Sequence, residues 1–246
     1  LKEGNRMIIE VCCGSYEDAL CAYHAKAQRI ELNSALALGG LTPSVASLRL
    51  VKSSTPLEVA CMVRPRKGGF RYLETEVEQM LAEAKDLLEA GADAIVFGFL
   101  NEDGTIDEYH TIKMMRVIRQ YPGRKAVFHR AFDVVPDVDE AINTLIKLGV
   151  NRILTGGLAA TAMEGIDMIR YLQDTYGSQI EILAGCGVNK DNVRELAERT
   201  GVTQIHGSFS KRDKDLTATR NGVDFGSGGL EHTDKHHVEA VLAQFR

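Results

Sequence analysis

The sequence predicts an α/β protein of the TIM type, a (β/α)8 barrel with eight parallel strands. Short apolar segments rich in β-branched residues alternate with amphipathic helical segments along the whole chain, and eight of them have the length of strands. Most are too apolar for a half-exposed sheet, which is typical of parallel strands covered on both faces. The length of 246 residues also suits a closed barrel.

Eight strands in strict alternation with helices favour a closed barrel over a doubly wound open sheet. The polar segment 211–225 predicts an irregular loop over the barrel mouth, and the segment 232–245 predicts a final helix. The predicted strands cover residues 8–12, 28–32, 57–63, 94–99, 125–129, 152–155, 181–184 and 204–206.

Helix boundaries are marked by capping residues. Ser15 and Asp137 each begin a predicted capping box, and Thr42 is predicted to cap a helix whose first residue is proline. Glycine favours the left-handed conformation that ends many helices. The glycines predicted to end a helix just before the next strand are Gly91, Gly149 and Gly201.

No Pro- or Ser-rich linker divides the chain, so we expect one barrel domain over residues 7–246. Residues 1–6 precede Met7, which resembles a natural start, and we expect them to lie outside the natural chain. No signal peptide is recognisable, and five cysteines in a chain of intracellular character argue against a disulfide framework. We therefore expect a reduced, cytoplasmic protein.

The charge balance argues against two classes of partner. The net charge is −5 at pH 7, and binding to nucleic acid or to an anionic membrane surface needs a basic face. No apolar run approaches the roughly 20 residues that a transmembrane helix needs. A metal ion or a small anionic ligand is the expected partner.

Charged and polar side chains end the apolar strands, where barrel enzymes hold their active sites. The set predicts a catalytic or binding site for a small anion at the C-terminal rim, although an internal network of salt bridges would use the same residue types. His206, at the end of the last strand, could be an acid–base group, a metal ligand or a structural residue. The candidate catalytic residues are Glu10, Glu31, Arg64, Arg66, His129 and Asp133.

Two glycine pairs follow the sixth and seventh strands, and barrels often bind phosphate near the seventh and eighth strands. Glycine lets a ligand approach the backbone, and helix N-termini favour anions. Tight turns use glycine for other reasons too, so both interpretations stay open. The candidate anion-binding residues are Gly156, Gly157, Gly185 and Gly187.

Three cysteines lie at strand ends and could bind a soft metal ion. Thiolates select Cu(I), which accepts few ligands. Cys12 is the best-placed candidate, with Cys13 and Cys186 as weaker ones, and the alternative is that all three merely pack the rim. Cys21 and Cys61 are expected in the core.

These residues resemble the CutC family of copper homeostasis proteins, in family order over nearly the whole chain. The most specific matches are the loop Gly39-Gly40-Leu41-Thr42-Pro43-Ser44 and the segment Phe128-His129-Arg130-Ala131-Phe132-Asp133. The other matching segments are Ile9-Glu10-Val11-Cys12-Cys13, Arg29-Ile30-Glu31-Leu32, Arg64-Pro65-Arg66, Glu102-Asp103-Gly104-Thr105-Ile106-Asp107 and Arg152-Ile153-Leu154-Thr155.

The resemblance implies a barrel, a cytoplasmic location and a role in copper homeostasis, with Cu(I) bound by a cysteine after the first strand and another after the second. Cys12 matches the first position, whereas Asn33 stands at the second. Lys67-Gly68-Gly69-Phe70 also departs from the Gly-Gly-Asp-Phe that the family favours.

Three functions follow from these observations. The first is copper homeostasis with Cu(I) bound at Cys12. The second is an enzyme of isomerase or lyase type that acts on a small anionic or phosphorylated metabolite at the rim. The third is a partner interface, for example in a homo-oligomer, through the apolar loop 34–41, which could equally fold over its own barrel.

Overall fold

The structure is a computed structural model that describes residues 7–226 and 228–245. Eight parallel strands close into a barrel in which each pairs with the next in chain order and the last pairs with the first, which confirms the predicted fold. The prediction for residues 1–6 lies outside the described residues. The strands are β1 (Ile8–Cys13), β2 (Arg29–Leu32), β3 (Glu58–Met62), β4 (Ala94–Phe97), β5 (Lys125–Phe128), β6 (Arg152–Thr155), β7 (Glu181–Ala184) and β8 (Gln204–Gly207).

Helices alternate with the strands, and the predicted caps at two of them are confirmed. Ser15 accepts a hydrogen bond from the N–H of Asp18, and Asp137 accepts one from the N–H of Glu140. Gly149 adopts the left-handed conformation that ends a helix. The helices are α1 (Tyr16–His24), α2 (Val45–Ser54), α3 (Glu74–Glu89), α4 (Glu108–Arg119), α5 (Val138–Leu148), α6 (Ile166–Tyr176), α7 (Val193–Thr200) and α8 (Lys235–Ala243).

The predicted cap at Thr42 is wrong, because Ser44 caps α2 by accepting a hydrogen bond from the N–H of Ser47. Thr42 is used elsewhere: its N–H donates to the Arg64 carbonyl at 3.0 Å, and its Oγ1 accepts the Arg64 N–H at 3.0 Å. Thr42 thus ties the loop before α2 to Arg64, two residues after the end of β3, and the helix begins later.

Side chains of each strand alternate between two cores. In β1, Val11 and Cys13 belong to the large apolar layer between strands and helices. Glu10 and Cys12 face the barrel interior, where Glu10 meets β6 across the barrel. This alternation decides which strand-end residues can reach a common site at the mouth.

An ionic network fills part of the barrel interior. Arg29 and Arg152 are 1% and 0% exposed, and both guanidinium groups approach the same oxygen of Glu10, at 2.6 and 3.8 Å. Arg152 also binds Glu181 at 2.6 Å, and Gln204 bridges Arg29 and Glu181. Among the candidate catalytic residues, Glu10 thus belongs to an internal network of salt bridges, in which it holds two buried arginines in place.

Acid is expected to weaken the fold through Glu181. Burial raises the pKa of Glu181, but Arg152, Lys125 and Gln204 outweigh burial and lower it from 4.5 to about 2. A carboxyl group whose pKa is lower in the folded chain stabilises the fold above its unfolded pKa and loses that contribution as pH falls through the folded value. In urea unfolding between pH 5 and 2, a range set by those two values, Glu181→Gln should show a shallower loss of stability than the natural chain. Equal slopes would contradict this, and Glu195→Gln in an exposed helix pair is the control.

The predicted irregular loop 211–225 is partly wrong, because this region contains two antiparallel ribbons. Ser210–Asp213 pairs with Leu230–Thr233, and Thr219–Arg220 pairs with Val223–Asp224. Most of these residues are exposed, so no apolar alternation marked them as strands. The predicted final helix is confirmed as α8, although it begins after the ribbon.

Among the helices of residues 7–226 and 228–245, none combines the length and the apolar composition that a membrane crossing demands.

Candidate functional site

Cys12, Glu31 and His206 meet at the mouth of the barrel. Closure of the barrel brings them together, because β1 pairs with β2 on one side and with β8 on the other. Cys12 lies directly opposite Glu31 in the register of β1 and β2. One potential metal-binding atom from each residue lies within 4.8 Å of the others. No second group of this kind occurs in the described part of the chain.

Two neighbours hold this cluster in position. Asn33 Nδ2 donates to Glu31 Oε2 at 2.9 Å and lies 3.6 Å from Cys12 Sγ. His206 Nδ1 lies 2.8 Å from Glu10 Oε1, which leaves Nε2 on the side of Glu31, 4.0 Å from Oε2. A carboxylate on one nitrogen of a histidine is the usual support for a metal on the other nitrogen.

Burial and charge set the protonation of the cluster. Burial raises the pKa of the Cys12 thiol to about 12, so the thiol is protonated at neutral pH. Burial alone would lower the pKa of His206, but the carboxylates of Glu31 and Glu10 outweigh burial and hold it well above its ordinary value. Burial raises the pKa of Glu10, yet Arg29 and His206 lower it to about 2. The free cluster therefore carries a thiol and an imidazolium.

The donor set fits a metal ion chemically. It offers a soft sulfur, an imidazole nitrogen and a carboxylate, and Glu31 Oε1 is buried without a hydrogen-bond partner. Burial, with Glu10 nearby, raises the pKa of Glu31, although His206 acts in the opposite direction. An incoming cation would neutralise this concentration of acceptors and would displace protons from Cys12 and His206.

A cavity of about 450 Å³ opens beside the cluster. Leu36, Ala37 and Gly39 of the loop 34–41 line it, so this loop folds over its own barrel. Association of copies through the same loop stays a prediction. Other lining residues are Cys12, Glu31, Arg64, Phe70, His129 and His206.

His129 is a neutral histidine in the wall of the cavity. Burial, with the Arg64 charge in the same direction, lowers the pKa of His129 to about 3. Its Nδ1 accepts the N–H of Ala131 at 3.1 Å, so the ring proton is on Nε2, which has no partner. Its ring packs on Phe70 with centroids 4.8 Å apart.

Three of the predicted catalytic residues, Glu10, Arg66 and Asp133, lie outside this cavity's lining. Arg66 turns away to Glu76, with Nε 2.6 Å from Oε1, and stacks over Tyr72. Asp133 accepts hydrogen bonds from Thr155 Oγ1 and from the N–H of Gly156. The predicted residues that the structure brings to one cavity are Cys12, Glu31, Arg64 and His129, with Glu10 behind His206.

The glycines have local roles that are visible in the structure. The N–H of Gly156 donates to Asp133 at 2.9 Å and that of Gly157 to Thr155 Oγ1 at 2.9 Å. These two amides are therefore already occupied. A side chain on Gly185 would meet His206 Cβ at 3.2 Å, and Gly187 has a φ of +69°.

The other strand-end cysteines lie apart from the cluster. Cys13 is buried in the outer core. Cys186 Sγ accepts from Arg130 at 3.1 Å and donates to the Ala160 carbonyl at 2.9 Å. All five cysteines are free thiols. The sequence leaves the role of His206 open and does not predict that Asn33 supports Glu31. The pairing of β8 with β1 is the signal that places His206 beside Cys12.

The barrel and its mouth define a (β/α)8-barrel protein with a potential metal-binding cluster. The CutC family model matches residues 7–211. The CutC family protein of Treponema denticola is 46% identical over 222 residues, which cover 90% of this chain and 89% of that protein. The human copper homeostasis protein cutC homolog is 39% identical over 97% of this chain and 89% of its own length.

Solved structures agree with this relationship. A copper homeostasis protein CutC from Streptococcus agalactiae superposes with a TM-score of 0.77 at 32% identity, covering 82% of this chain and 98% of that one. Phosphoribosyl anthranilate isomerase from Thermococcus kodakaraensis shares the fold alone, with a TM-score of 0.57 at 14% identity over 98% of this chain and 99% of that one. The chain belongs to the CutC family of copper homeostasis proteins.

Proposed function

We propose that this chain takes part in copper homeostasis by binding Cu(I) at Cys12 and His206, with Glu31 beside them. The observation that carries the proposal is the meeting of a thiol, an imidazole and a carboxylate within 4.8 Å at the mouth of the barrel. A thiolate and an imidazole are sufficient for an ion that tolerates low coordination.

The surroundings favour Cu(I) among the possible ions. Met62 lines the same cavity and adds a thioether, which is a soft ligand. The site offers one thiolate, from Cys12, and has the amide of Asn33 where a second thiolate could stand. A single thiolate supports reversible rather than permanent binding of Cu(I). Such a site suits transfer of copper between partners better than its storage.

A reducing compartment is part of this proposal. Cu(I) and a free thiol both persist under reducing conditions, and no cysteine of this chain is in a disulfide. We therefore propose the cytoplasm as the place of action. The predicted isomerase or lyase reaction stays an alternative, supported by Glu31 and His129 in the cavity wall, with Glu10 behind His206.

Loss of Cys12 is expected to weaken Cu(I) binding by roughly a hundredfold, because the remaining ligands are harder. The measurement is a competitive titration of reduced protein against a Cu(I) chelator, with the natural chain and Cys12→Ser. Cys186→Ser is the matched control, because that thiol lies outside the cluster and its loss should leave the affinity unchanged.

Two outcomes would contradict the proposal. One is Cu(I) affinity that is equal in the natural chain and in Cys12→Ser. The other is Zn²⁺ binding to the reduced protein in preference to Cu(I), which would assign the cluster to another metal ion.

A further inference from the structure

Arg64 carries a buried positive charge that no acidic residue neutralises. It is 7% exposed, and its Nη atoms donate to the carbonyls of Leu38, Gly40 and Gly68 at 3.2, 3.2 and 2.9 Å. Over residues 7–226 and 228–245, no carboxylate oxygen lies within 4.0 Å of its guanidinium. Three carbonyls and the Phe70 ring, whose centroid is 5.5 Å from Arg64 Cζ, stabilise this charge without neutralising it, so an anion bound in the cavity would find a cationic partner here.

The comparison with the other buried arginines is direct. Arg29 and Arg152 each lie against a carboxylate, at 2.6 Å from Glu10 and Glu181 respectively. The fold thus pairs its buried guanidinium groups in the barrel interior and leaves Arg64, at the cavity wall, without a partner anion.

Four residues in the cavity wall each keep a buried polar atom without a hydrogen-bond partner: Arg64 Nε, His129 Nε2, Glu31 Oε1 and Asn33 Oδ1. Arg64 Nε and His129 Nε2 are donors, since His129 Nδ1 already accepts the N–H of Ala131. Asn33 Oδ1 is an acceptor. Buried polar groups are rarely left without partners, and a molecule bound in the cavity would find donors and acceptors in this wall.

We propose that the cavity binds a small organic carboxylate that carries a hydroxyl group next to the carboxyl carbon. Two N–H donors match the two oxygens of a carboxylate, and Asn33 would accept from a hydroxyl. The volume of about 450 Å³ holds a molecule of this size, and Leu36, Phe70 and Leu154 contribute apolar wall.

A carboxylate fits the described groups better than a phosphate does. Phosphate in barrels is commonly held by backbone amides after the last strands. After β6, the amides of Gly156 and Gly157 already donate to Asp133 and Thr155, and after β7 the amide of Gly185 donates to the Thr155 carbonyl at 3.0 Å. The free donors come instead from two side chains, at the cavity wall next to the cluster.

The experiment measures thermal stability and binding heat of the reduced, metal-free protein with glycolate and with lactate. Their neutral amides and inorganic phosphate serve as comparison probes. At least one carboxylate should raise the melting temperature by about 2–4 °C near saturation, while its amide should not. Because no copper is present, the result is independent of the proposed copper function.

Variants then locate the site. Arg64→Gln should weaken binding of the active carboxylate by at least about tenfold. Arg66→Gln, in the same Arg-Pro-Arg segment but paired with Glu76, should bind it as the natural chain does. If Arg64→Gln does not fold, His129→Gln is used in its place and should also weaken binding of the carboxylate by at least about tenfold. The proposal is overturned if no carboxylate binds, if amides bind equally well, or if phosphate alone stabilises the protein.

Discussion

Replacing Glu10 by glutamine is expected to lower the free energy of unfolding by about 3–5 kcal/mol. Glu10 is 1% exposed and its carboxylate faces Arg29 at 2.6 Å and Arg152 at 3.8 Å. It also supports the His206 ring at 2.8 Å. A neutral amide of the same size would leave positive charges buried with too few counter-charges, in a region that water cannot reach.

The matched control for this prediction is Glu58→Gln. Glu58 lies 4.0 Å from the same Arg29, but its side chain is 41% exposed. An exposed pair contributes about 0–1 kcal/mol, so this variant should unfold close to the natural chain. Urea unfolding at pH 7 measures both. If Glu10→Gln lowers the free energy of unfolding by no more than Glu58→Gln does, the interior network does not depend on the Glu10 carboxylate.

Replacing Asn33 by cysteine is expected to raise Cu(I) affinity by on the order of a thousandfold, which is about 4 kcal/mol. Asn33 Nδ2 lies 3.6 Å from Cys12 Sγ, so a cysteine there would present a second thiol to the same ion. Two thiolates suit Cu(I) better than one thiolate and harder ligands. The gain should appear in the chelator titration of fully reduced protein.

Asn33→Ser is the control that distinguishes the effect of a new thiol from the effect of a smaller side chain. Serine removes the amide and its 2.9 Å hydrogen bond to Glu31 without adding a soft ligand, so its Cu(I) affinity should not exceed that of the natural chain. Equal affinities for Asn33→Cys and Asn33→Ser would mean that copper does not bind beside Cys12, and would count against the proposed function as a whole.

The fold was predictable because its signals are local. Apolar β-branched strands and helix caps such as Ser15 and Asp137 act within a few residues, and the structure reproduces them. The exposed ribbon of Ser210–Asp213 and Leu230–Thr233 was not predictable in the same way. Its partners are distant in sequence, and most of its side chains face solvent, so no apolar pattern marks either strand.

The site was predictable as a set of strand ends but not as a set of contacts. The sequence predicts Glu31 because polar groups at the ends of apolar strands need partners, and it predicts Cys12 because a thiol at a strand end can bind a soft metal ion. Their meeting with His206 depends on closure of the barrel between β8 and β1, which joins residues far apart in the chain. Arg64 and Arg66 show most clearly what the sequence cannot predict. They are only two residues apart, but Arg64 forms part of the cavity wall, whereas Arg66 turns away and binds Glu76.

The three carbonyl hydrogen bonds of Arg64 link occupancy of the cavity to the order of its entrance. Leu38 and Gly40 belong to one rim loop and Gly68 to another, and a single guanidinium holds all three. A ligand that shifts the Arg64 guanidinium would therefore change its hydrogen bonds to both loops. If a bound anion stabilises these loops, reciprocity requires that a contact which stabilises the loops from outside raises the affinity for the anion by the same factor.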